Sequence, residues 1–257
     1  MQNIIHHLSQ MLATYAQATK RIFFIDYDGT LAPLQLDPKL AIPTRRMKES
    51  LLELTKDSFN HIVIISGREK ETLDAWLGDL PVTLVAEHGG FLKDCGNDWN
   101  PLFDISTQWM NWVLPPLQAL TFNYEGTFIE KKYYSVAWHY RGVTENISEH
   151  DIKEITNAFS SLTMKDEFVI YNEDCTLEFR TSGIDKGKVA ALYMQNDKYD
   201  FVLAIGDGKT DEDIFKAIGK NHYTIKVGDH EESNANFYLE KQSDTLIVFN
   251  SLSLEIK

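Results

Sequence analysis

Two aspartates stand two residues apart where a strongly apolar run ends. The run Arg21–Ile25 leads into Asp26 and Asp28, and Gly29 and Thr30 follow. In an extended chain the two carboxylates lie on the same side, and carboxylates this close repel each other, which raises one pKa. A hard cation such as Mg²⁺ takes carboxylate and carbonyl oxygens and removes that conflict. The spacing therefore indicates a catalytic or metal-binding site, with an ordinary Asp-Gly turn as the alternative.

A second polar group follows the next apolar run, His61–Ile65. Ser66, Gly67 and Arg68 come directly after it. A serine at the carboxyl end of a strand, followed by glycine, can hold an anion with its hydroxyl group and the nearby backbone amides. The alternative is a serine that caps the N-terminus of the next helix.

A lysine and an acidic loop complete the candidate chemical groups. Lys186 opens a helical pattern, where it can neutralise a phosphate, and a surface lysine is the alternative. Further along, the run Phe201–Ile205 leads into Gly206–Asp213, which holds four carboxylates, including Asp207 and Asp211. Such crowding is costly without a cation. The alternatives are an acidic helix N-terminus or a calcium-type loop, for which the ligand pattern of an EF-hand is missing.

The elements that must position these groups alternate along the chain. Near-continuous apolar runs predict strands buried on both faces, as in a parallel sheet. These runs are Arg21–Ile25, His61–Ile65, Val82–Ala86, Phe201–Ile205 and Leu246–Phe249. Apolar residues three to four apart predict helices between them, around Met47–Leu54, Leu73–Leu77, Val189–Tyr193 and Ile214–Ile218. Alternating strands and helices predict a doubly wound, Rossmann-like α/β core with ligands at the carboxyl ends of its strands.

Residues 107–182 break this rhythm and predict an α+β domain inserted into a core of residues 1–106 and 183–257. A helical pattern at Trp109–Leu120, interrupted by Pro115 and Pro116, opens the insert. Two strands, a helix and two more strands follow. They are predicted at Gly126–Lys132, Tyr134–Arg141, Ser148–Leu162, Glu167–Tyr171 and Thr176–Arg180.

Composition and charge exclude several classes of protein. The chain of 257 residues has 25 basic and 38 acidic side chains, a formal net charge of −13. Nucleic-acid binding needs a lysine- and arginine-rich stripe that neutralises phosphates, and none is visible. An anionic membrane surface is disfavoured for the same reason. Two cysteines without metal-ligand spacing, and no recognisable secretory signal, predict a cytoplasmic protein without disulfides.

Taken together, the four polar groups resemble those of the haloacid dehalogenase superfamily of phosphotransferases. The resemblance implies that Asp26 is the nucleophile, which forms an aspartyl-phosphate, and that Asp28 is the general acid and base. It implies that Mg²⁺ is bound by Asp26, the Asp28 carbonyl group and Asp207, with Asp211 supporting the metal site. It also implies that four residues hold the phosphoryl oxygens, namely Thr30, Ser66, Gly67 and Lys186.

Within that superfamily the chain is similar to the trehalose-6-phosphate phosphatases over nearly its whole length from Lys20. The segments that carry the resemblance are Asp26–Leu31, Ile64–Arg68, Ala86–Gly90, Ile129–Arg141, Leu177–Arg180, Asp185–Ala190 and Gly206–Phe215. The resemblance implies hydrolysis of trehalose 6-phosphate, with the insert as a cap that selects the sugar. Substrate contacts are then expected from Arg68, Glu87, His88 and Gly89 of the core and from Glu130, Lys132, Arg141 and Glu178 of the cap. The alternative for Glu178 is a surface cross-strand pair with Arg180.

Two positions depart from the pattern of that family, and two other functions stay open. Gly208 stands where the family usually has a second aspartate, and Thr181 stands where it often has proline. One alternative is a related phosphatase of sucrose 6-phosphate or a glycosyl-phosphoglycerate. The other is a non-catalytic phosphatase-like module of a trehalose-phosphate synthase. The segments Ala41–Thr44 and Trp76–Gly78 resemble phosphatase domains that follow a synthase domain, which makes a synthase domain or subunit a candidate partner.

Overall fold

The structure is a computed structural model that describes residues 1–35, 37–144, 147–162, 165–173 and 175–255. The chain divides into two compact units. The core unit comprises Met1–Leu102 and Asp185–Lys257, and the insert unit is Phe103–Ile184. The predicted insert, residues 107–182, lies within the bounds of the second unit.

The described residues contain thirteen strands and eight α-helices. The strands are β1 (Gln2–Asn3), β2 (Arg21–Asp26), β3 (Asn60–Ile65), β4 (Thr83–Ala86), β5 (Phe91–Lys93), β6 (Asn100–Pro101), β7 (Phe128–Lys131), β8 (Ser135–His139), β9 (Phe168–Glu173), β10 (Thr176–Thr181), β11 (Phe201–Gly206), β12 (Tyr223–Val227) and β13 (Phe237–Leu239). The helices are α1 (Leu8–Gln17), α2 (Arg45–Leu54), α3 (Lys70–Leu77), α4 (Met110–Asn123), α5 (Glu149–Ser160), α6 (Lys186–Asn196), α7 (Asp211–Ile218) and α8 (Thr245–Ser253).

The core unit is built on one sheet, with the strand order β1-β13-β12-β11-β2-β3-β4-β5-β6. Across the sheet, the seven strands from β1 through β13, β12, β11, β2 and β3 to β4 are parallel to their neighbours, whereas β5 and β6 are added antiparallel at one edge. β2 lies in the middle, in register with β11 on one side and with β3 on the other. Because parallel strands point the same way, the residues that follow β2, β3 and β11 meet at one edge of the sheet.

The central strands are apolar because both faces of the sheet are covered. Every residue of β2 and β11 is buried. On one face, side chains of α6 and α7 such as Val189 and Ile214 join a buried cluster with the strands. On the other face, Tyr15 of α1 lies edge-on to Phe23 and Phe201, with ring centroids 6.3 and 5.4 Å apart. Burial on two sides explains why these runs show no polar alternation.

The predicted strand at Leu246–Phe249 is wrong, because this segment lies inside α8. Val248, Phe249 and Leu252 are fully buried, and their spacing of one and three residues suits one face of a helix. A run of only four apolar residues fits either a strand or a buried helix, so its length did not decide between them. The sheet is extended instead by β12 and β13, for which no strand was predicted.

Side-chain caps fix where several helices begin. The Thr44 hydroxyl group accepts a hydrogen bond of 3.2 Å from the amide of Met47 at the start of α2. Asp185 does the same for α6, accepting from the amide of Lys188 at 2.8 Å. Because capping satisfies amides that have no partner inside the helix, α6 starts at Lys186, the lysine that was predicted to neutralise a phosphate.

The insert unit has its own antiparallel sheet, with the strand order β7-β8-β10-β9. One face packs with α4 and α5 on an apolar core that contains Trp109, Trp138 and Phe179. Along β10, buried residues alternate with partly buried ones, so the opposite face carries the polar side chains of Glu178 and Arg180. The insert is therefore a two-layer α+β module with one polar sheet face.

Two local predictions for the insert are wrong. The helix is not interrupted at Pro115 and Pro116, because α4 continues through both prolines. Its buried residues Val113 and Leu117 pack in the apolar core, which offsets the loss of two backbone donors. The second predicted strand does not reach Arg141, which lies in a short 3₁₀ turn after β8.

No helix in the described parts of the chain has both the length and the apolar character needed to cross a membrane.

Candidate active site

Asp26 is the last residue of β2 and the centre of a buried polar cluster. Its Oδ2 atom accepts a hydrogen bond of 3.2 Å from the Thr30 hydroxyl group, and its Oδ1 atom accepts one from the Lys186 ammonium group. Gly29 makes the turn between Asp26 and Thr30 with φ +72°, and a Cβ atom on Gly29 would lie 1.8 Å from Asp207 Oδ2. Only glycine fits this position, because it tolerates positive φ and leaves room for the aspartate.

Lys186 is buried between two carboxylates, so the alternative of a surface lysine is wrong. Only 2% of its side chain is exposed. Besides Asp26, its Nζ atom contacts Asp211 Oδ1 at 2.8 Å. An ammonium group this buried needs charged partners, and the fold supplies them from β2 and from α7.

Asp207 and Asp211 lie where the chain passes from β11 into α7. Their carboxylates and that of Asp26 offer oxygen atoms that all lie within 4.8 Å of one another. The amide of Gly208 donates to Asp211 Oδ2 at 2.9 Å, so the glycine that departs from the family pattern contributes a backbone donor. A Cβ atom on Gly206 would lie 2.2 Å from Asp211 Cγ, which explains glycine there.

The electrostatics of this cluster favour a cation. Burial and the neighbouring Asp211 raise the pKa of Asp26 well above its ordinary value, against the opposing effect of Lys186. Burial and Asp211 also raise the pKa of Asp207 to about 6. Burial alone would lower the pKa of Lys186, but Asp211 and Asp26 outweigh it and raise that pKa. Lys186 balances only one of the three carboxylates when all are ionised, and this excess of negative charge fits a divalent metal ion with oxygen ligands.

Asp28 stands apart from the three clustered carboxylates. β2 ends at Asp26, so strand alternation does not extend to Asp28. Its two oxygens accept hydrogen bonds from Arg68 Nε at 2.8 Å and from a terminal Arg68 nitrogen at 2.6 Å. Arg68 also donates to the Pro38 carbonyl oxygen at 2.8 Å. A bidentate guanidinium pair of this kind fixes the orientation of the carboxylate.

Ser66 follows β3 but does not cap a helix, so that alternative is also wrong. α3 begins at Lys70 with Glu69 at its N-cap, and the Ser66 hydroxyl group accepts from the amide of Arg68 at 3.1 Å. Gly67 permits a close approach, because a Cβ atom there would lie 2.4 Å from His88 Nε2. The chain therefore makes a tight turn beside the ring of His88.

The segment Glu87–Gly89 forms a strained turn after β4. Glu87 and His88 have positive φ values of 49° and 59°, which are uncommon for residues with side chains. Their amides bind the turn after β3, from Glu87 to the Arg68 oxygen at 3.0 Å and from His88 to the Ser66 oxygen at 2.8 Å. Strain of this kind is retained at functional sites when the surroundings impose it.

Three of the four predicted sugar-binding residues of the insert lie in two charge pairs, each formed along one strand or its end. Glu130 and Lys132 approach to 3.5 Å, and Arg180 Nε donates to Glu178 at 2.8 Å. Glu178 and Arg180 do pair with each other, as the alternative for Glu178 predicted, but they lie on the same strand and their side chains are only 16% and 12% exposed. Arg141 lies apart from both pairs in the sequence, in the turn after β8.

Two residues near the site were not predicted from the sequence. Lys226 of β12 donates to the Asp207 carbonyl oxygen and, at 3.3 Å, to that of Gly208. Gln242 donates to the Thr30 carbonyl oxygen at 3.0 Å. Lys226 lies between the apolar residues Ile225 and Val227 of β12, and this alternation would have pointed to Lys226 if β12 had been predicted. Gln242 carries no comparable signal in the sequence.

The comparison with protein families agrees with the positions of these groups. The sequence model of the trehalose-phosphatase family matches residues 24–243. This chain belongs to the trehalose-phosphatase family. The match runs from β2 through β13 and contains Asp26, Lys186 and Asp207. The predicted family is therefore confirmed.

Individual relatives are named as a trehalose-phosphate synthase and as a trehalose-phosphatase. The chain is 37% identical over 246 residues to alpha,alpha-trehalose-phosphate synthase (UDP-forming) B of Dictyostelium discoideum, covering 94% of this chain and 31% of that protein. It is 34% identical over 231 residues to a trehalose-phosphatase of Saccharomyces cerevisiae, covering 81% of this chain and 26% of that protein. The chain thus spans less than a third of the length of these curated relatives.

A solved structure supports the fold over the whole chain. The C-terminal domain of the trehalose-6-phosphate phosphatase of C. albicans superposes with a TM-score of 0.84 at 27% identity, covering 97% of this chain and 98% of that domain. The predicted α/β fold is confirmed.

Proposed function

We propose that this protein is a Mg²⁺-dependent phosphatase that hydrolyses trehalose 6-phosphate to trehalose and phosphate, the last step of trehalose biosynthesis. The observation that carries the proposal is the buried group of Asp26, Lys186, Asp207 and Asp211 at the carboxyl edge of the sheet. It combines a nucleophile, a cation and metal ligands in a member of the trehalose-phosphatase family.

The first half of the reaction transfers the phosphoryl group to Asp26. A carboxylate oxygen of Asp26 attacks phosphorus while the bond from phosphorus to the sugar oxygen breaks, which leaves an aspartyl-phosphate. Asp28 donates a proton to the departing sugar oxygen. Lys186, Thr30, Ser66 and the amide of Gly67 hold the phosphoryl oxygens, because stabilisation of spreading negative charge is the main requirement of phosphoryl transfer.

The second half regenerates the enzyme. Asp28, now ionised, takes a proton from a water molecule, whose oxygen bonds to phosphorus as the bond to Asp26 breaks. Phosphate leaves and Asp26 is again a free carboxylate. Arg68 holds both oxygens of Asp28, so it sets the direction from which this proton can be exchanged.

The metal ligands in this proposal are Asp26, the Asp28 carbonyl group and Asp207, and Asp211 supports the metal site. When bound, Mg²⁺ would neutralise and orient the phosphoryl oxygens. The fit rests on the all-oxygen ligand set and on the raised pKa values of Asp26 and Asp207, to which burial contributes most and the neighbouring Asp211 carboxylate next. Asp211 also binds Lys186 and the Gly208 amide, so its role includes orientation of those groups.

Sugar recognition is assigned to two sets of residues. Glu87, His88 and Gly89 would contribute from the core unit, and Glu130, Lys132, Arg141 and Glu178 from the insert unit, which acts as the cap. Arg68, expected from the sequence to contact the substrate, is assigned instead to Asp28, which it binds. Carboxylates accept hydrogen bonds from sugar hydroxyl groups, and lysine and arginine donate to them. The strand register supports a shared role, because Glu130 and Glu178 both lie opposite Ala137 and hence on one face of the sheet.

The cellular context is also proposed. A trehalose-phosphate synthase domain or subunit is the expected partner, supported by the synthase name of a relative that is about three times longer than the matched region. Nucleic acid and membrane surfaces are not expected partners, given the net charge of −13. A cytoplasmic location is supported by Cys95 and Cys175, which are both free.

Phosphate release from a panel of sugar phosphates tests the proposal. Trehalose 6-phosphate should give the highest kcat/KM, ahead of sucrose 6-phosphate, glucose 6-phosphate and a glycosyl-phosphoglycerate, and EDTA should abolish release. Asp26→Asn should lower kcat by at least about a thousandfold, since it removes the nucleophile. Asp98→Asn, an exposed aspartate, is the matched control. Higher kcat/KM for another sugar would refute the substrate, and full activity of Asp26→Asn would refute the mechanism.

A further inference from the structure

A row of three side chains, two polar and one aromatic, crosses three adjacent strands of the insert sheet. Thr176 of β10 lies directly opposite His139 of β8, which in turn lies opposite Phe128 of β7. Residues that face each other across neighbouring strands project from the same side of a sheet. This side also carries Glu178, which lies two residues after Thr176 on β10. It is opposite to the side on which Leu177 is buried.

His139 connects this row to the predicted sugar-binding pair. Its Nε2 atom lies 2.9 Å from Glu130 Oε2, and its Nδ1 atom lies 3.1 Å from the Thr176 hydroxyl oxygen. The other oxygen of Glu130, Oε1, lies 3.5 Å from the Lys132 ammonium group. A carboxylate only accepts hydrogen bonds, so Nε2 carries a proton and donates to Glu130, while Nδ1 pairs with the Thr176 hydroxyl group.

The imidazole ring is also held from the side. Phe128 stacks on it with a centroid distance of 4.4 Å and an interplanar angle of 16°. Contacts at both ring nitrogens and on one ring face leave His139 little rotational freedom, so the hydrogen bond to Glu130 has a defined direction. The hydrogen bond from His139 is also the largest influence that lowers the pKa of Glu130, to about 2.

The chain of contacts contributes more to orientation than to stability. The side chain of Glu130 is 42% exposed, and ion pairs at such exposure stabilise proteins by only about 0–1 kcal/mol. A carboxylate whose two oxygens are separately held, one by His139 and one by Lys132, is preorganised to bind a hydroxyl group.

We propose that His139 is a positioning residue for sugar recognition, which with Thr176 behind it holds Glu130 in the orientation that binds the sugar of the substrate. The proposal rests on the proposed function, in which Glu130 and Lys132 contact trehalose 6-phosphate. His139 acts through Glu130 and does not touch the reacting atoms, so it affects sugar binding and not the phosphoryl transfer.

Steady-state kinetics of the full chain with two substrates test this role. With trehalose 6-phosphate, His139→Ala should raise KM about fivefold to tenfold and change kcat by less than about twofold, as expected from loss of one charge-assisted hydrogen bond. With p-nitrophenyl phosphate, which has no sugar, KM and kcat should both stay within about twofold. Thr176→Val should give a smaller rise in KM for trehalose 6-phosphate, because it removes only the outer donor.

A double variant shows whether His139 acts through Glu130. In a Glu130→Gln background, His139→Ala should add less than about twofold to KM, because residues that act through one interaction are not additive. His150→Ala, an exposed histidine of α5 in the same unit, is the matched control. Unchanged activity with p-nitrophenyl phosphate verifies that each variant is folded.

The outcomes separate the two proposals. If wild-type protein hydrolyses trehalose 6-phosphate and His139→Ala leaves its KM unchanged, only the role of His139 is refuted. The same holds if KM rises equally for both substrates, or if the double variant is additive. If wild-type protein prefers another sugar phosphate, the proposed function fails, and His139→Ala is then judged by the same KM ratio on that sugar. If it hydrolyses no sugar phosphate, both proposals fail.

Discussion

At the scale of single residues, the site is defined by like charges that the fold forces together. Asp26, Asp207 and Asp211 offer oxygens within 4.8 Å of one another, and Lys186 binds two of these carboxylates from a fully enclosed position. Breaking a buried network of this kind by removing one partner leaves an uncompensated charge. Repulsion within the cluster therefore destabilises the folded protein when no cation is bound, and a bound cation would relieve this cost in stability.

We expect this cost to appear as a pH dependence of stability. Asp207 has a pKa of about 6 in the folded protein against 3.8 ordinarily, so between these values the folded state binds more protons than the unfolded state. The stability from this group is then full below the lower value and is lost as the pH rises through the higher one. Without divalent cations, the contribution of Asp207 to the free energy of unfolding should fall between about pH 4 and about pH 6.

Urea denaturation in EDTA across this range measures the effect. Asp207→Asn, which cannot titrate, should reduce the slope, and Asp98→Asn should not. Added Mg²⁺ should also reduce it, because the cation replaces the proton as the neutralising charge. A slope that is identical in wild-type protein and Asp207→Asn would show that Asp207 does not carry this cost.

Arg68 was predicted to contact the substrate, and the structure places it on Asp28. Its guanidinium group binds both oxygens of Asp28 and lies 5.3 Å from the ring centroid of Trp76. Trp76 in turn stacks on Tyr27, with centroids 5.3 Å apart. Because Tyr27 precedes Asp28 in the chain, these contacts hold Asp28, the predicted general acid and base, through its backbone neighbour as well as through its side chain.

Replacing Arg68 should therefore affect proton transfer more than binding. Arg68→Met should lower kcat for trehalose 6-phosphate by about a hundredfold, at the lower end of what general acid–base catalysis contributes. The fall should be smaller for p-nitrophenyl phosphate, whose leaving group departs as a stabilised anion. Arg68→Lys should restore part of the loss. If KM rises while kcat is unchanged, Arg68 is a substrate ligand and not a positioning residue for Asp28.

At the scale of elements, neighbouring strands support the loop of residues 207–210, which is proposed to bind the metal ion. Lys226 lies opposite Gly206 in the parallel pair of β11 and β12, and its ammonium group binds the carbonyl oxygens of Asp207 and Gly208. The long side chain of Lys226 on β12 fixes the backbone that follows the neighbouring strand β11. The loop thus depends on β12, an element that contributes no predicted ligand.

Removal of this support should weaken metal binding specifically. Lys226→Met keeps the apolar stem but loses the ammonium group, and it should raise the Mg²⁺ concentration for half-maximal activity about tenfold, as outer partners of metal sites commonly do. The kcat at saturating Mg²⁺ should stay within about threefold of wild type. Lys216→Met, at an exposed lysine of α7, is the control. An unchanged Mg²⁺ requirement in Lys226→Met would contradict the assignment.

At the scale of the whole molecule, the two units carry different parts of the proposed reaction. The core unit contains every residue assigned to phosphoryl transfer, and the insert unit has a separate apolar core beneath its own sheet. Two hydrophobic cores allow one unit to vary without disturbing the other. Phosphoryl transfer is therefore assigned to the core unit alone, whereas sugar selection is assigned mainly to the insert unit, with Glu87, His88 and Gly89 of the core unit contributing.

Replacement of the insert tests this division. A variant in which a flexible linker replaces residues 103–184 should lose at least about a hundredfold in kcat/KM for trehalose 6-phosphate, since remote binding energy contributes to the rate. Its kcat/KM for p-nitrophenyl phosphate should fall by less than about tenfold, and Asp26→Asn in the same background is the control for residual activity. Equal losses for both substrates in a folded variant would assign the insert a part in the chemistry.

The positions of the reacting groups could be predicted from the sequence because they depend on local pattern. Asp26, Ser66 and Asp207 each follow an apolar run of strand length, and in a parallel sheet such runs end at one edge. The identity of the neighbouring strands did not have to be known. Family membership followed from the same short segments.

The partners of these groups were decided only by the tertiary structure. The pairing of Asp28 with Arg68 joins residues forty positions apart, and Lys226 reaches its loop from a strand that was not recognised. Contacts of this kind depend on register and side-chain direction, which sequence spacing does not encode. The segment Leu246–Phe249 shows the same limit for elements, because four apolar residues suit either a strand or a buried helix until their packing partners are known.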